Sequence, residues 1–127
     1  MAGLLAGTLL IVPPTLADPV GECQAATTTQ VETGQCLTDT LGAAEQVLGS
    51  ALERAQKKAD ELDQVTGRVV ARPALDKAQA EWETYRTTNC AVRAAFAGGA
   101  SGSGQFVTSC EIMMTRARTD ELYALAG

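Results

Sequence analysis

A chain of 127 residues with 46% hydrophobic content but only 4% aromatic is the size of one domain, and its core must come mainly from Ala, Leu and Val. Its net charge of −5 leaves no concentrated basic surface for phosphate, which argues against nucleic acid as a partner. The absence of histidine and of any CxxC spacing argues against zinc, and no metal or other cofactor is expected.

The amino-terminal residues 4–16 are apolar and uncharged, and Thr15-Leu16-Ala17 places small residues before Asp18 where a signal peptidase reads them. The expectation is a signal peptide over residues 1–17 and a single exported domain over residues 18–127. A membrane span needs about 20 apolar residues, and Pro13-Pro14 interrupts this shorter run, so no stable span is expected after cleavage. Glu22, directly before Cys23, argues against a lipid anchor at that cysteine. The expected location is the periplasm or the medium.

An oxidising compartment favours disulfides, and all four cysteines, Cys23, Cys36, Cys90 and Cys110, lie beyond the expected cleavage point. Three pairings are possible. Closeness in sequence, with a plausible turn between the partners, favours Cys23 with Cys36 and Cys90 with Cys110.

Thr27-Thr28-Thr29-Gln30 fits a capping box and starts a first helix near Thr27. Leu37, Leu41, Ala44, Leu48, Ala51, Ala55, Ala59 and Leu62 then form one apolar seam, which makes this helix some nine turns long. Gly67 marks its end, and Arg72-Pro73 marks the next boundary. A second helix is expected from about Ala74 to Phe96, with Leu75, Ala78, Trp82, Tyr85, Asn89, Val92 and Phe96 facing inward. The glycine-rich residues 98–104 read as a surface loop. A third helix follows from near Gln105 to about Leu125, with Phe106, Cys110, Met113, Met114, Ala117, Leu122 and Leu125 as its inward side. No segment alternates like a strand. The fold class is therefore all-α, a small disulfide-stapled bundle of about three helices with a long first helix.

Trp82, Tyr85 and Arg86 are residue types common at binding hot spots, but Trp82 and Tyr85 share the apolar seam and read as core. Arg86, beside that seam, is suited to pair with a carboxylate or to tether the glycine-rich loop. That loop lacks the Lys-Ser/Thr of a phosphate cradle, since Gln105 and Phe106 follow it. Glu81 and Glu83, two apart on a helix, point in different directions and make no catalytic pair. With no GxSxG or SxxK element either, an enzyme is not expected. Charge is uneven: residues 18–64 hold nine acidic residues against three basic ones, so the first half of the domain is the acidic half.

The segment Ala78-Gln79-Ala80-Glu81-Trp82-Glu83-Thr84-Tyr85-Arg86-Thr87-Thr88-Asn89-Cys90 resembles the lysozyme inhibitor LprI-like family, in which such a helix carries Trp, then aromatic-Arg, then Cys. The likeness extends upstream to Cys23 and Thr29-Gln30-Val31-Glu32-Thr33-Gly34-Gln35-Cys36. Downstream it takes in Gly98-Gly99, Gly102-Ser103, Cys110 and Thr115-Arg116-Ala117-Arg118-Thr119-Asp120-Glu121-Leu122. Thr33-Gly34-Gln35 stands where the family usually has Met-Asn before its second cysteine. The resemblance implies an exported helical protein that binds lysozyme and protects peptidoglycan. The candidate partner-binding residues are carboxylates of the acidic half: Glu45, Glu53, Asp60, Glu61 and Asp63. The alternative is an envelope interaction or scaffold module whose partner is another exported protein.

Overall fold

The computed structural model describes residues 18–127, so the expected signal peptide over residues 1–17 lies outside the described residues. The described chain is helical throughout: α1 Pro19–Ala26, α2 Gln30–Thr66, α3 Ala71–Phe96 and α4 Ser103–Ala126. The all-α expectation holds, with four helices in place of about three.

The additional helix, α1, has only eight residues. A helix that short is marginal by itself and leaves little periodic signal in a sequence. Here it is held by its surroundings. The Asp18 carboxylate accepts from the Val20 amide at 3.2 Å, Pro19 occupies the first turn, and Cys23 is bonded to Cys36 of α2 with Cα atoms 5.8 Å apart. The chain then extends through Thr27, and α2 starts later than the sequence suggests. Thr29 is its N-cap, taking the Glu32 amide at 3.1 Å, while Glu32 reaches back to the Thr29 amide at 3.2 Å. The capping box is the expected motif moved two residues along, because Glu32 can also gather the amide and hydroxyl of Thr28. Those bonds, led by the Thr28 amide, hold the Glu32 carboxyl below its usual range.

With 37 residues, α2 is about 55 Å long and serves as the spine. Its seam is the expected one through Leu37, Leu48, Ala51, Ala55 and Ala59, but Leu62 is exposed. The alanines let α4 lie close, and α4 is its main partner along the length. The apolar interior forms two clusters. One joins Leu48, Ala51, Ala55, Ala59, Leu75 and Leu122, and the other joins Cys23, Leu37 and Ile112.

The second and third apolar seams sit differently from their sequence periodicity. In α3, Leu75, Gln79 and Cys90 are buried with Trp82 and Arg86 half-buried, whereas Tyr85 is 60% exposed and Phe96 88% exposed. Ala78 and Val92 also face outward. The second disulfide sets this phase. Cys90 must face Cys110 of α4, with Cα atoms 5.5 Å apart, and stepping back from Cys90 by fours and threes brings Arg86, Trp82, Gln79 and Leu75 inward. In α4 the buried side is Ser109, Cys110, Ile112, Thr115, Thr119 and Leu122, while Phe106, Met113, Ala117 and Leu125 are exposed. Thr115 and Thr119 bury cheaply because their hydroxyls donate to the Glu111 and Thr115 carbonyls, at 2.6 and 2.9 Å.

The α2–α3 and α3–α4 connections rely on glycine where the backbone demands it. Gly67 ends α2 in the left-handed region at φ 68°, and Gly102 before α4 has φ 83°. A Cβ at Gly102 would lie 2.6 Å from the side-chain Nε2 of Gln30, which would have to move aside, and the left-handed backbone there is itself strained for any larger residue. The Gln105 side chain donates to the Gln30 carbonyl at 2.9 Å and completes that junction.

Candidate functional site

The exposed side of the α2–α3 hairpin carries most of the residues singled out by the sequence. At its middle, Arg86 is only 17% exposed at the side chain and makes three kinds of contact. Its Nη1 donates to the Thr115 hydroxyl of α4 at 2.8 Å and pairs with Glu45 of α2 at 3.2 Å, and its guanidinium lies 5.3 Å from the centre of the Trp82 ring. One side chain thereby joins three helices. It pairs with a carboxylate as one of the two sequence expectations had it, while its partners are far from the glycine-rich loop. Tyr85, expected beside Trp82 in the core, instead points to solvent on the outer side of α3.

Two turns toward the tip, Gln79 is 5% exposed and accepts from Arg118 Nε at 3.0 Å, and Arg118 in turn bonds Glu121 at 2.9 Å. Between these two tethers α2 and α3 part. Leu48, Gly49 and Leu52 of α2 face Gln79, Trp82 and Glu83 of α3 across a shallow groove of about 290 Å³, closed at one end by Arg86 and Glu45. At the other end Gln56 donates to Asp76 at 3.1 Å.

The hairpin tip has a different character. The carboxy-terminal Ala126 of α4 borders a concavity with Arg54, Lys57, Lys58 and Glu61, so the last turn of α2 projects past the end of α4. There Val65 is 85% exposed, Val69 77% and Val70 60%, with Leu62 alongside. The tip is nonetheless rigidly built. Val70, which precedes α3, provides no side-chain cap. Asp63 does so from across the turn, accepting the amides of Val70, Ala71 and Arg72 at 3.1, 2.8 and 3.0 Å. These bonds, led by the Arg72 amide, hold the Asp63 carboxyl below its usual range. Arg72 closes the base by pairing with Asp60 at 2.7 Å and Asp76 at 3.0 Å, and the Asp76 bond in particular raises its affinity for its proton.

The five candidate carboxylates therefore divide. Asp63 is consumed as a helix cap, Asp60 is tied to Arg72, and Glu45 is tied to Arg86. Glu53 and Glu61 face solvent. The structure brings Glu45 together with Trp82 and Arg86 and leaves Glu53 and Glu61 apart from them. Sequence reasoning missed Gln79, Thr115 and Arg118, polar residues on the inward faces, and missed the valine tip. The signal for the tip was present: Val65, Val69 and Val70 flank Gly67, a turn position where branched apolar residues have no core to enter.

Among the described residues no group of three or more Cys, His, Asp or Glu side chains is placed to hold a metal, and no cysteine is free. No helix among the described residues is long and apolar enough to cross a membrane. Fold and surface together define a small, disulfide-bonded helical protein whose exposed side offers carboxylates, a half-buried aromatic and a rigid apolar tip. The chain belongs to the lysozyme inhibitor LprI family, whose family model matches residues 23–122 and so takes in both disulfides and nearly all of the helical domain. No curated protein and no solved structure matches it.

Proposed function

We propose that the protein is exported, binds lysozyme and blocks cleavage of peptidoglycan, without catalysing a reaction itself. The family match over residues 23–122 carries this reading. Two disulfides in a chain of this size are in keeping with an oxidising, extracytoplasmic location. Lysozyme works in a carbohydrate cleft, and a convex element is needed to fill a cleft. The α2–α3 tip is such an element: Val65, Val69 and Val70 are exposed apolar side chains on a turn already fixed by the Asp63 cap, so little ordering entropy is lost when they dock. Burying a valine or leucine side chain is worth about 1.5–3 kcal/mol, enough for the tip to contribute substantially to affinity. The acidic excess of residues 18–64, including Glu53 and Glu61, speeds encounter with a basic enzyme more than it tightens the complex.

The test is residual lysozyme activity on cell walls with the oxidised protein in excess, at low and at physiological salt, beside the Val65→Asp/Val69→Asp variant. Inhibition by the wild type, lost in the variant, is expected. No inhibition of several lysozyme types by the wild type overturns the reading and leaves the envelope interaction module as the better account. Inhibition retained by the variant would move the contact away from the tip.

A further inference from the structure

The apolar periodicity of α3 and α4 is real, but part of it points away from the core. On α3 it runs through Ala78, Tyr85, Val92 and Phe96, and on α4 through Phe106, Met113 and Ala117, every one of them exposed. Steps of seven and four keep each set on one face of its helix. The two faces meet where α3 ends and α4 begins. There Phe96, Phe106 and Met113 line one groove of about 560 Å³. The chain has two phenylalanines, and both are spent on this surface while smaller side chains fill the core. Phe96 is 88% exposed and projects, whereas Phe106 and Met113 are about half exposed.

Aromatic and Met side chains gathered in one depression mark a docking surface, which apolar residues scattered singly do not. What fits it best is the same face of a second copy. A two-fold axis brings a surface against itself, so a knob beside a hole is self-complementary: Phe96 is the knob, and the groove walled by Phe106 and Met113 is the hole. The charges agree. The groove also carries Arg93, which makes no ion pair among the described residues, and Asp18, whose Oδ1 takes the Val20 amide and the Ser109 hydroxyl and leaves Oδ2 open. With one cation and one anion the face is neutral, so two copies can meet there although each carries −5. We propose that the protein self-associates through this face as a two-fold dimer, each Phe96 seated against Phe106 and Met113 of the other copy and each Arg93 paired with the other copy's Asp18. At about 150–250 Å² for a whole aromatic side chain, the exposed parts of Phe96, Phe106, Met113, Val92 and Tyr85 come to about 500 Å² per copy, short of the about 800 Å² of a standard interface. The dimer is therefore weak and forms where the protein is concentrated. Phe96 ends α3 and the valine tip precedes it, about 39 Å of helix away, so association leaves both tips exposed.

The experiment is sedimentation equilibrium of the oxidised, exported protein over about 1–500 μM, a range that brackets a weak interface. No lysozyme is present, so the result is independent of whether the protein inhibits that enzyme. The mass is expected to rise from one chain to two and to stop there, with a dissociation constant of about 10–100 μM. Three variants locate the contact. Phe96→Lys removes the knob while placing a cation at the C-terminal turn of α3, where the helix dipole favours it, so its thermal midpoint should stay within about 2 °C of wild type and its mass at one chain throughout. Arg93→Gln should weaken association at least threefold. Val65→Asp/Val69→Asp, at the far end of α3, should self-associate as the wild type does. A single chain at every concentration overturns the proposal and leaves the face to a partner of another sequence. Growth beyond two chains, unchanged association in folded Phe96→Lys or Arg93→Gln, or association lost in the tip variant would each overturn it too.

Discussion

Replacing both Cys90 and Cys110 with alanine removes the link that sets the phase of α3 against α4. The bond closes a loop of 20 residues, for which the chain-entropy relation gives about 3 kcal/mol at 25 °C. Cys90 is fully buried and Cys110 nearly so, and alanine is the substitution that introduces no unpaired hydroxyl there. At about 2.1 cal/mol/K per residue, the described 110-residue domain (residues 18–127) has an unfolding entropy near 230 cal/mol/K, so the thermal midpoint should fall by about 13 °C. Circular dichroism at 222 nm measures it. The companion loop, Cys23 to Cys36, spans 13 residues and carries nearly the same entropy. Its loss should be felt first in α1, whose eight residues have little helical tendency alone, so amide exchange in Pro19–Ala26 should rise ahead of the rest. A drop of less than about 4 °C for the Cys90/Cys110 double variant would refute the entropic account and show that polar tethers already fix α3 on α4.

Three further outcomes follow from the packing. Leu122→Ala, at a fully buried position in the larger cluster, should cost about 3 kcal/mol in urea unfolding, whereas Phe96→Ala should stay within about 0.5 kcal/mol despite its place in the apolar periodicity of α3. Arg86→Met should cost about 2 kcal/mol, and Arg86→Lys should recover little of it, because an ammonium cannot bond Thr115 and Glu45 while stacking on Trp82. Because the Glu32 and Asp63 carboxyls have folded pKa values below their ordinary range, the stability they add is present above that range and is lost as pH falls through the folded values. The thermal midpoint should therefore decline between about pH 5 and pH 2, and Asp63→Asn should start lower and converge with wild type in acid; parallel curves would rule out the cap as the source.

Helix content, the long α2 seam and the stop at Gly67 were legible because each rests on local chemistry: periodic apolar residues, a left-handed glycine, a proline boundary. The rotations of α3 and α4 were not. An apolar stripe through Tyr85, Val92 and Phe96 competes with a partly polar one through Gln79 and Arg86, and hydrophobicity favours the first. The second wins because Cys90 must reach Cys110 and because Arg118, Glu45 and Thr115 supply partners that make burial of Gln79 and Arg86 tolerable. Those partners lie on other helices, where no window along the chain can see them. Asp63 is a similar case: its role as the cap of α3 depends on the turn geometry that follows it, so as a sequence letter it looked like free surface charge.

The two disulfides bracket separate stretches of chain, Cys23 to Cys36 and Cys90 to Cys110, and neither spans the turn at Gly67. A single backbone cut beside the exposed Arg68 would therefore give two pieces, each cyclised within itself and neither bonded to the other. Their cohesion would rest on the non-covalent packing of α1 and α2 against α3 and α4, and so on dilution. The tip is then both a cluster of exposed apolar side chains and the point where one hydrolysed peptide bond turns a single chain into a concentration-dependent pair.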